Sequence, residues 1–456
     1  MNFKINIDVG FEVNVFSPED ILNALVMETK RIFHDQGIPG FVNFLLRAID
    51  KKICDDVIAE SAQGDLFKRE RCCKAQSLER VRLEKKKILT SLGDLTMDMT
   101  RLRCKCCKHS FVPLREFLGI KKHQTATDEF VKIACETIVE QSYRRTCKHF
   151  LTIGAIKIKR SKLHRMIMKS DCDVIDPKVR SKDLEVLIAD GTGFPEFKLK
   201  AERENEKNDR KSDLKIVIGM DKKQRIVPIG VWGKKSWKSI RKEIEVKNFG
   251  SKVKTKPIAK VLVCDGEESL VTEMGKLAEK TQRCQWHLTH DFVHLMKYQE
   301  KEKKETAHEF ASALHASMQI ELPLTVDEKN KLEVEVNIFE AEKSIDQLIA
   351  TLEERNYFKA AVYVTNAKKY LFTYLRYWLH TGILTPKVSS RIERMMREFG
   401  RRIKKIGFNW STKGAEKMAR ILLKIIATDG CWENYWDGKI NLKDKVQIVF
   451  RRVAAG

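Results

Sequence analysis

The chain has 456 residues, 43% of them hydrophobic, which is room for two to four domains at roughly 150 residues each. Lys and Arg total 87 against 63 Asp and Glu, a net charge of +24 spread along the chain rather than gathered in a tail. That excess favours a polyanion, double-stranded DNA, through counterion release, the alternative being lysines that only keep the protein soluble. No apolar run approaches the roughly 20 residues of a membrane span, and the alternating start Met1–Asp8 lacks the apolar core of a signal peptide. The sequence therefore predicts a cytoplasmic protein with no membrane partner. Its 12 cysteines are then thiols or metal ligands rather than disulfides.

Residues 1–95 read as a helical N-terminal region, with helical periodicity after Pro18 and a Lys/Arg-rich stretch from Phe67 to Lys87. Residues 96–120 form a Cys-rich short β segment, entered by alternating residues around Gly93 that resemble a pair of short strands. Within it Cys104 and Cys107 make a C-x-x-C pair, a spacing that lets two thiolates of a tight turn reach one Zn²⁺. Cys72, Cys73 and His109 are candidates for the remaining ligands, the alternative being reduced, partly buried thiols.

Residues 121–180 read as a helix-turn-helix-like DNA-binding region. One helix spans 142–151, a short turn carries Gly154, and a second helix spans 159–168 with Arg160, Lys162 and Arg165 as candidate DNA contacts. An ordinary helical hairpin fits the same pattern. Residues 181–295 alternate strands and helices. Strands are expected at Leu184–Ala189, Leu214–Met220, Arg225–Trp232, Lys260–Cys264 and Gln282–Leu288, with a hairpin turn at Asp221–Gln224 and an amphipathic helix at Ser269–Lys280. Residues 296–385 are helical and largely charged, ending in the aromatic stretch Tyr370–Trp378, which reads as helix-packing core. Residues 386–430 contain a basic helix and a further helix, and 431–456 form a tail with Trp432 and Trp436.

Three carboxylates stand out. Asp190 ends the run Leu184–Ala189 and precedes Gly191; Asp265 ends Val261–Cys264 and precedes Gly266; Glu393 lies in the basic stretch Ser389–Arg402. Two strand-end aspartates and a helix glutamate are a donor set for two Mg²⁺ (or Mn²⁺) ions. Such ions, roughly 4 Å apart, clamp the attacking and leaving oxygens of an in-line phosphodiester displacement. Each residue has a plainer reading. Asp before Gly is a common turn former, Ser390-x-x-Glu393 matches a capping box, and Glu398 and Glu416 compete with Glu393. Arg397 and Arg401, four apart on the same stretch, are candidate phosphate contacts or a solvated face.

The order Asp-Gly, Asp-Gly, then Arg283-Cys284-Gln-Trp-His287, then Ser-Ser-Arg-Ile-Glu393-Arg, resembles the Mutator-like group of DDE transposases and related bacterial insertion-sequence transposases. The resemblance covers roughly residues 184–420, and its motifs are specific only jointly. It implies a multidomain α+β chain whose ribonuclease-H-like mixed-sheet core spans 181–295 and 386–430. An all-α insertion (296–385) interrupts that core, and a helical DNA-binding N-terminal region precedes it. It also implies metal-dependent phosphodiester hydrolysis and strand transfer at element ends by Asp190, Asp265 and Glu393, and a C-x-x-H motif, Cys284 and His287, near the active site. A buried Cys and a structural His are the plainer reading of that pair. The partners are element ends and target DNA, with a homo-oligomer as the active complex. The competing functions are a ribonuclease-H-like nuclease that cuts without joining and a non-catalytic DNA-binding transposase derivative.

Overall fold

The computed structural model describes residues 77–440 apart from 92, 118–119, 155, 180–183, 197–210, 251–255, 324–326 and 405–409, together with scattered helical residues between 40 and 58. The chain divides into two compact units, one made of Met1–Ser170 with Glu433–Gly456 and the other of Asp171–Trp432. Among the described residues no helix is long and apolar enough to cross a membrane.

In the first unit the helical reading of residues 1–95 is corrected from Leu78 onward. From Leu78 the basic stretch is a strand, β1 (Leu78–Thr90), paired antiparallel with β2 (Gly93–Cys104) and followed by the short β3 (Ser110–Phe111); residues 67–76 lie outside the described ones. Gly93, at φ +107°, takes the left-handed conformation that closes the hairpin, where an L side chain is disfavoured. The long charged side chains that favour a helix locally instead pair across the strands: Arg103 with Glu79, directly opposite in register, and Arg101 with Glu84. Leu95, Met97 and Met99 alternate inward against Ile53, Cys54 and Val57.

After the helix α1 (Pro113–Phe117) come three helices, α2 (Asp128–Glu140), α3 (Tyr143–Gly154) and α4 (Arg160–Lys169). Thr127 caps α2 by accepting from the Phe130 amide. The helices share a core of Phe130, Ala134, Ile138, Phe150, Leu163 and Ile167, with the Phe130 and Phe150 rings 5.2 Å apart.

The second unit is α+β, built on a mixed five-stranded sheet in the order β6-β5-β4-β7-β8. Strands β4 (Leu184–Pro195), β5 (Lys211–Asp221) and β6 (Ile226–Gly233) are antiparallel. On the other side of β4, β7 (Ala259–Cys264) and β8 (Ala278–Arg283) run parallel to it. A parallel neighbour requires a crossover, supplied by α5 (Trp237–Phe249) before β7 and α6 (Glu268–Met274) before β8. The helix expected over Ser269–Lys280 therefore stops at Met274, and Ala278 begins a strand instead. Trp237, Ile240 and Ile244 of α5 cover one sheet face. Two later helices, α12 (Ser390–Phe399) and α13 (Thr412–Ile426), pack on β4 and on β5 and β6. Cover on both faces explains the near-continuous apolar runs.

Five helices intervene: α7 (Gln285–Tyr298), α8 (Lys304–Ser317), α9 (Glu328–Glu354), α10 (Phe358–Lys368) and α11 (Thr373–Thr381). They bury their own core, in which Leu371, Phe372, Tyr374, Leu375 and Trp378 take part. The strand expected over Gln282–Leu288 is corrected here, because β8 ends at Arg283 and α7 starts at Gln285. The helical block is tied to the sheet by polar bonds. Gln282 binds the Leu371 carbonyl and the Tyr374 amide, Arg283 N–H donates to Tyr370 O, and Tyr377 donates to the buried Glu185 of β4 at 2.7 Å.

Candidate active site

Strand β4 does not end at Asp190, as its apolar run suggested, but continues as an antiparallel ribbon with β5 to Pro195. What ends there is the parallel pairing, whose last pair is Ile188 with Val263. Asp190 and Asp265 each lie two residues beyond that pair. They thus sit at matching positions past the ends of neighbouring parallel runs. Gly266 turns the chain at φ +84°, and the Asp265 carboxylate accepts from the Glu267 amide at 3.0 Å. Burial, then the charge of Asp265, pushes Asp190 up to about 6; Glu393 adds to the same effect, and His287 and the Gly191 amide oppose it. Asp190 is thus within electrostatic reach of both other carboxylates expected to act with it.

Glu393 lies in the first turn of α12. The N-cap is Ser389, one residue earlier than the capping-box pattern predicts, so Glu393 does not serve Ser390. The Ser389 hydroxyl lies 2.9 Å from Glu393 Oε1 and 3.3 Å from Cys284 Sγ; with one proton it donates to one at a time. The Ser389 amide also donates to Cys284 Sγ, and the hydroxyl is 3.3 Å from His287 Nδ1. His287 Nδ1 is 4.0 Å from Glu393 Oε1. One ligand atom from each of Cys284, His287 and Glu393 falls within 4.8 Å of the others.

Cys284 is the N-cap of α7, anchored by its amide to the Cys264 carbonyl beside Asp265. The C-x-x-H spacing therefore spans the first helical turn and aims both side chains at the carboxylates. Burial disfavours the Cys284 thiolate, yet hydrogen bonds with His287 and Ser389 hold the thiol below its ordinary value. Burial likewise disfavours charged His287, but Cys284, Asp190 and Glu393 outweigh it and push the imidazole up to about 9. A cationic His287 offsets part of the acidic cluster.

The rival glutamates are used elsewhere. Glu398 pairs with Arg401, and Glu416 on α13 accepts from the Gly233 amide at 2.6 Å, fixing the edge strand β6. The continuous helix imagined for Arg397 and Arg401 is corrected: α12 ends at Phe399, Gly400–Lys404 forms a π turn, and Arg402 is buried over the Trp410 ring. Arg397 remains exposed and lines a groove of about 730 Å³ with Arg391 and Arg394.

In the other unit, α4 buries Leu163 and Ile167 and presents Arg160, Lys162 and Arg165 to solvent. Cys104 is buried at the end of β2 and Cys107 is exposed in the following turn. Among the described residues no His, Cys, Asp or Glu completes a three-ligand group with them. His109 stacks on Phe111, and Cys72 and Cys73 lie outside the described residues. Sequence reasoning missed Ser389, whose role is visible only once α7 and α12 meet. It also passed over Arg283, which it quoted in the motif without assigning it a task.

No protein-family model matches the chain, and no curated protein matches it. Among solved structures it is similar to the Drosophila P element transposase strand transfer complex, at 14% identity over 70% of this chain and 82% of that chain, with a TM-score of 0.26. At that level the likeness bears on neither the site nor the reaction.

Proposed function

We propose that this chain is a DNA transposase of the DDE class, resembling the Mutator-like group. It would cut a phosphodiester at the end of a mobile element and join the freed 3′-hydroxyl to target DNA. The observation that carries this reading is that Asp190 and Asp265 stand two residues beyond the last parallel pair of β4 and β7, that α12 packs on β4, and that the charges of both Asp265 and Glu393 reach Asp190. Support for a ribonuclease-H-like core is the sheet order, three antiparallel strands followed by two parallel ones. Half-buried carboxylate oxygens suit hard divalent cations, and Asp190, Asp265 and Glu393 would hold two Mg²⁺ or Mn²⁺. Bound there, such ions would lower the pKa of the attacking water and neutralise charge on the phosphorane. Ser389 orients Glu393, and His287 holds a positive charge beside it. Arg160, Lys162 and Arg165 would contact duplex DNA, and Arg391, Arg394 and Arg397 would hold phosphates near the cut. The active complex would be a homo-oligomer on element ends and target DNA.

A second reading is favoured by one observation. Cys284, His287 and Glu393 form a softer donor set, suited to a single Zn²⁺. One experiment separates the two. The full chain is incubated with a plasmid carrying the DNA that flanks its own gene, in Mg²⁺, Mn²⁺ or Zn²⁺, and nicked and joined products are counted. Cleavage in Mg²⁺ or Mn²⁺ that disappears in Asp190→Asn, with DNA binding kept, supports the transposase. Cleavage without joined products supports the nuclease alternative. Full activity of Asp190→Asn refutes the carboxylate assignment, and activity in Zn²⁺ alone favours the second reading.

A further inference from the structure

Beside the Asp265–Gly266 turn lies a recess of about 460 Å³ that includes none of Asp190, His287 or Glu393. Its walls include Gly266, Thr281, Arg283, Tyr363, Lys369 and Tyr370. Arg283 is only 6% exposed. Its Nη2 donates to the Tyr363 hydroxyl at 2.7 Å and its guanidinium lies 5.6 Å from the Tyr363 ring centre. Its Nη1 is buried with no hydrogen-bond partner, and among the described residues Arg283 forms no ion pair. Three other buried cations of this unit are matched by oxygen, Lys417 by Asp173, Lys424 by the Cys172 and Val174 carbonyls and Arg241 by Glu245 and Glu273, while Arg402 lies over the Trp410 ring. A buried charge without an opposite charge is costly. The fold makes room for it at residue 266, where a Cβ would collide with Nη1. Lys369 stands exposed at the rim with its ammonium 4.8 Å from the Tyr370 ring centre.

A forked guanidinium, an ammonium and a phenol hydroxyl are the donors that recognise phosphate. We propose that this recess binds a phosphate group, the missing counter-charge of Arg283. One source is a backbone phosphate of the DNA strand passing Asp265, which rests on the DNA-cleaving function proposed above. The other is a free nucleoside phosphate with its base against the tyrosines. Glu268, exposed at the rim, opposes either.

The test uses the full chain and reads binding rather than cleavage. Arg283→Met and Lys369→Glu are compared with the wild type in two assays: duplex affinity across a salt series, and thermal shift with inorganic phosphate or dATP at constant ionic strength. If DNA supplies the phosphate, both variants bind duplex about tenfold more weakly, and the log-log salt slope falls by about one for each phosphate no longer held. If a nucleotide supplies it, dATP raises the melting temperature of the wild type but of neither variant, and duplex affinity is unchanged. Glu268→Gln should strengthen whichever ligand binds. Arg283→Met should melt no lower than wild type, because it removes an uncompensated charge; a purely structural arginine would lower it. Should Arg283→Met fail to fold, that result and Lys369→Glu decide the matter: equal phosphate, dATP and duplex binding by Lys369→Glu and wild type overturns the proposal. A wild type that binds phosphate here yet never cuts DNA would sink the transposase reading and leave the recess standing.

Discussion

Two pairs of residues in this chain share a spacing and not a fate. Cys104 and Cys107 close a turn at the end of a hairpin, one buried and one facing water. Cys284 and His287 open a helix whose first turn is met by Ser389 and Glu393, residues more than a hundred positions away. Spacing brings two groups to one turn of chain, but the remaining groups of a site must arrive from elsewhere in the fold. For the second pair α12 brings them; for the first, no third metal-binding group is found among the described residues.

The largest effect that sharpens this contrast is on cleavage. His287→Ala should lower the cleavage rate by about 10- to 100-fold, as loss of a group that orients a ligand does, whereas Cys107→Ala should leave it within about twofold, since an exposed cysteine in a turn touches no reacting group. Single-turnover rates at saturating Mg²⁺ measure both, and an equal loss in the two variants would erase the distinction. Next comes the contrast between glutamates. Glu416→Ala orphans the Gly233 amide and should cost about 1–3 kcal/mol in urea unfolding with no change in the rate per folded molecule. A rate loss there would move the third carboxylate to Glu416.

Ser389→Ala removes the hydroxyl between Cys284 and Glu393 and should destabilise the unit by about 1 kcal/mol, read as a lower denaturant midpoint at unchanged slope. The smallest effect is chemical. A thiol-specific reagent should label Cys107 within minutes in the native protein, while Cys284, fully buried, reacts only on unfolding despite its more acidic thiol. Fast native labelling of Cys284 would mean that the α7–α12 junction opens.

The aspartates were readable because a short apolar run closed by Asp-Gly is a local pattern, carried by about seven residues each. What local pattern could not show is that β4 runs on past Asp190, because its continuation is set by β5, some twenty residues later. The stretch Leu78–Lys87 was misread for a related reason. Its Lys, Arg and Glu side chains suit a helix, and only pairing with Arg101 and Arg103 of β2 makes a strand of it. The expected strand over Gln282–Leu288 holds only to Arg283, because the anchored Cys284 amide starts a helix there. The helical block was legible from residue 296 on, since 3.6-residue periodicity over long helices is the strongest local signal. Ser389 and the bare Nη1 of Arg283 leave no mark on the sequence at all; each is a relation between distant elements.

The order in which the chain supplies its two units bears on how the protein is made. The unit Asp171–Trp432 is fastened at its own ends: Lys417 and Lys424 of α13 bind Asp173, Cys172 and Val174, the residues by which the chain enters. It can therefore close as soon as Trp432 has been synthesised. The basic unit cannot, because part of it begins at Glu433, where Lys132 of α2 finds an ion-pair partner at 2.6 Å. Domains generally fold as units in the order they leave the ribosome. In this chain the order is inverted, and the half translated first is the half completed last.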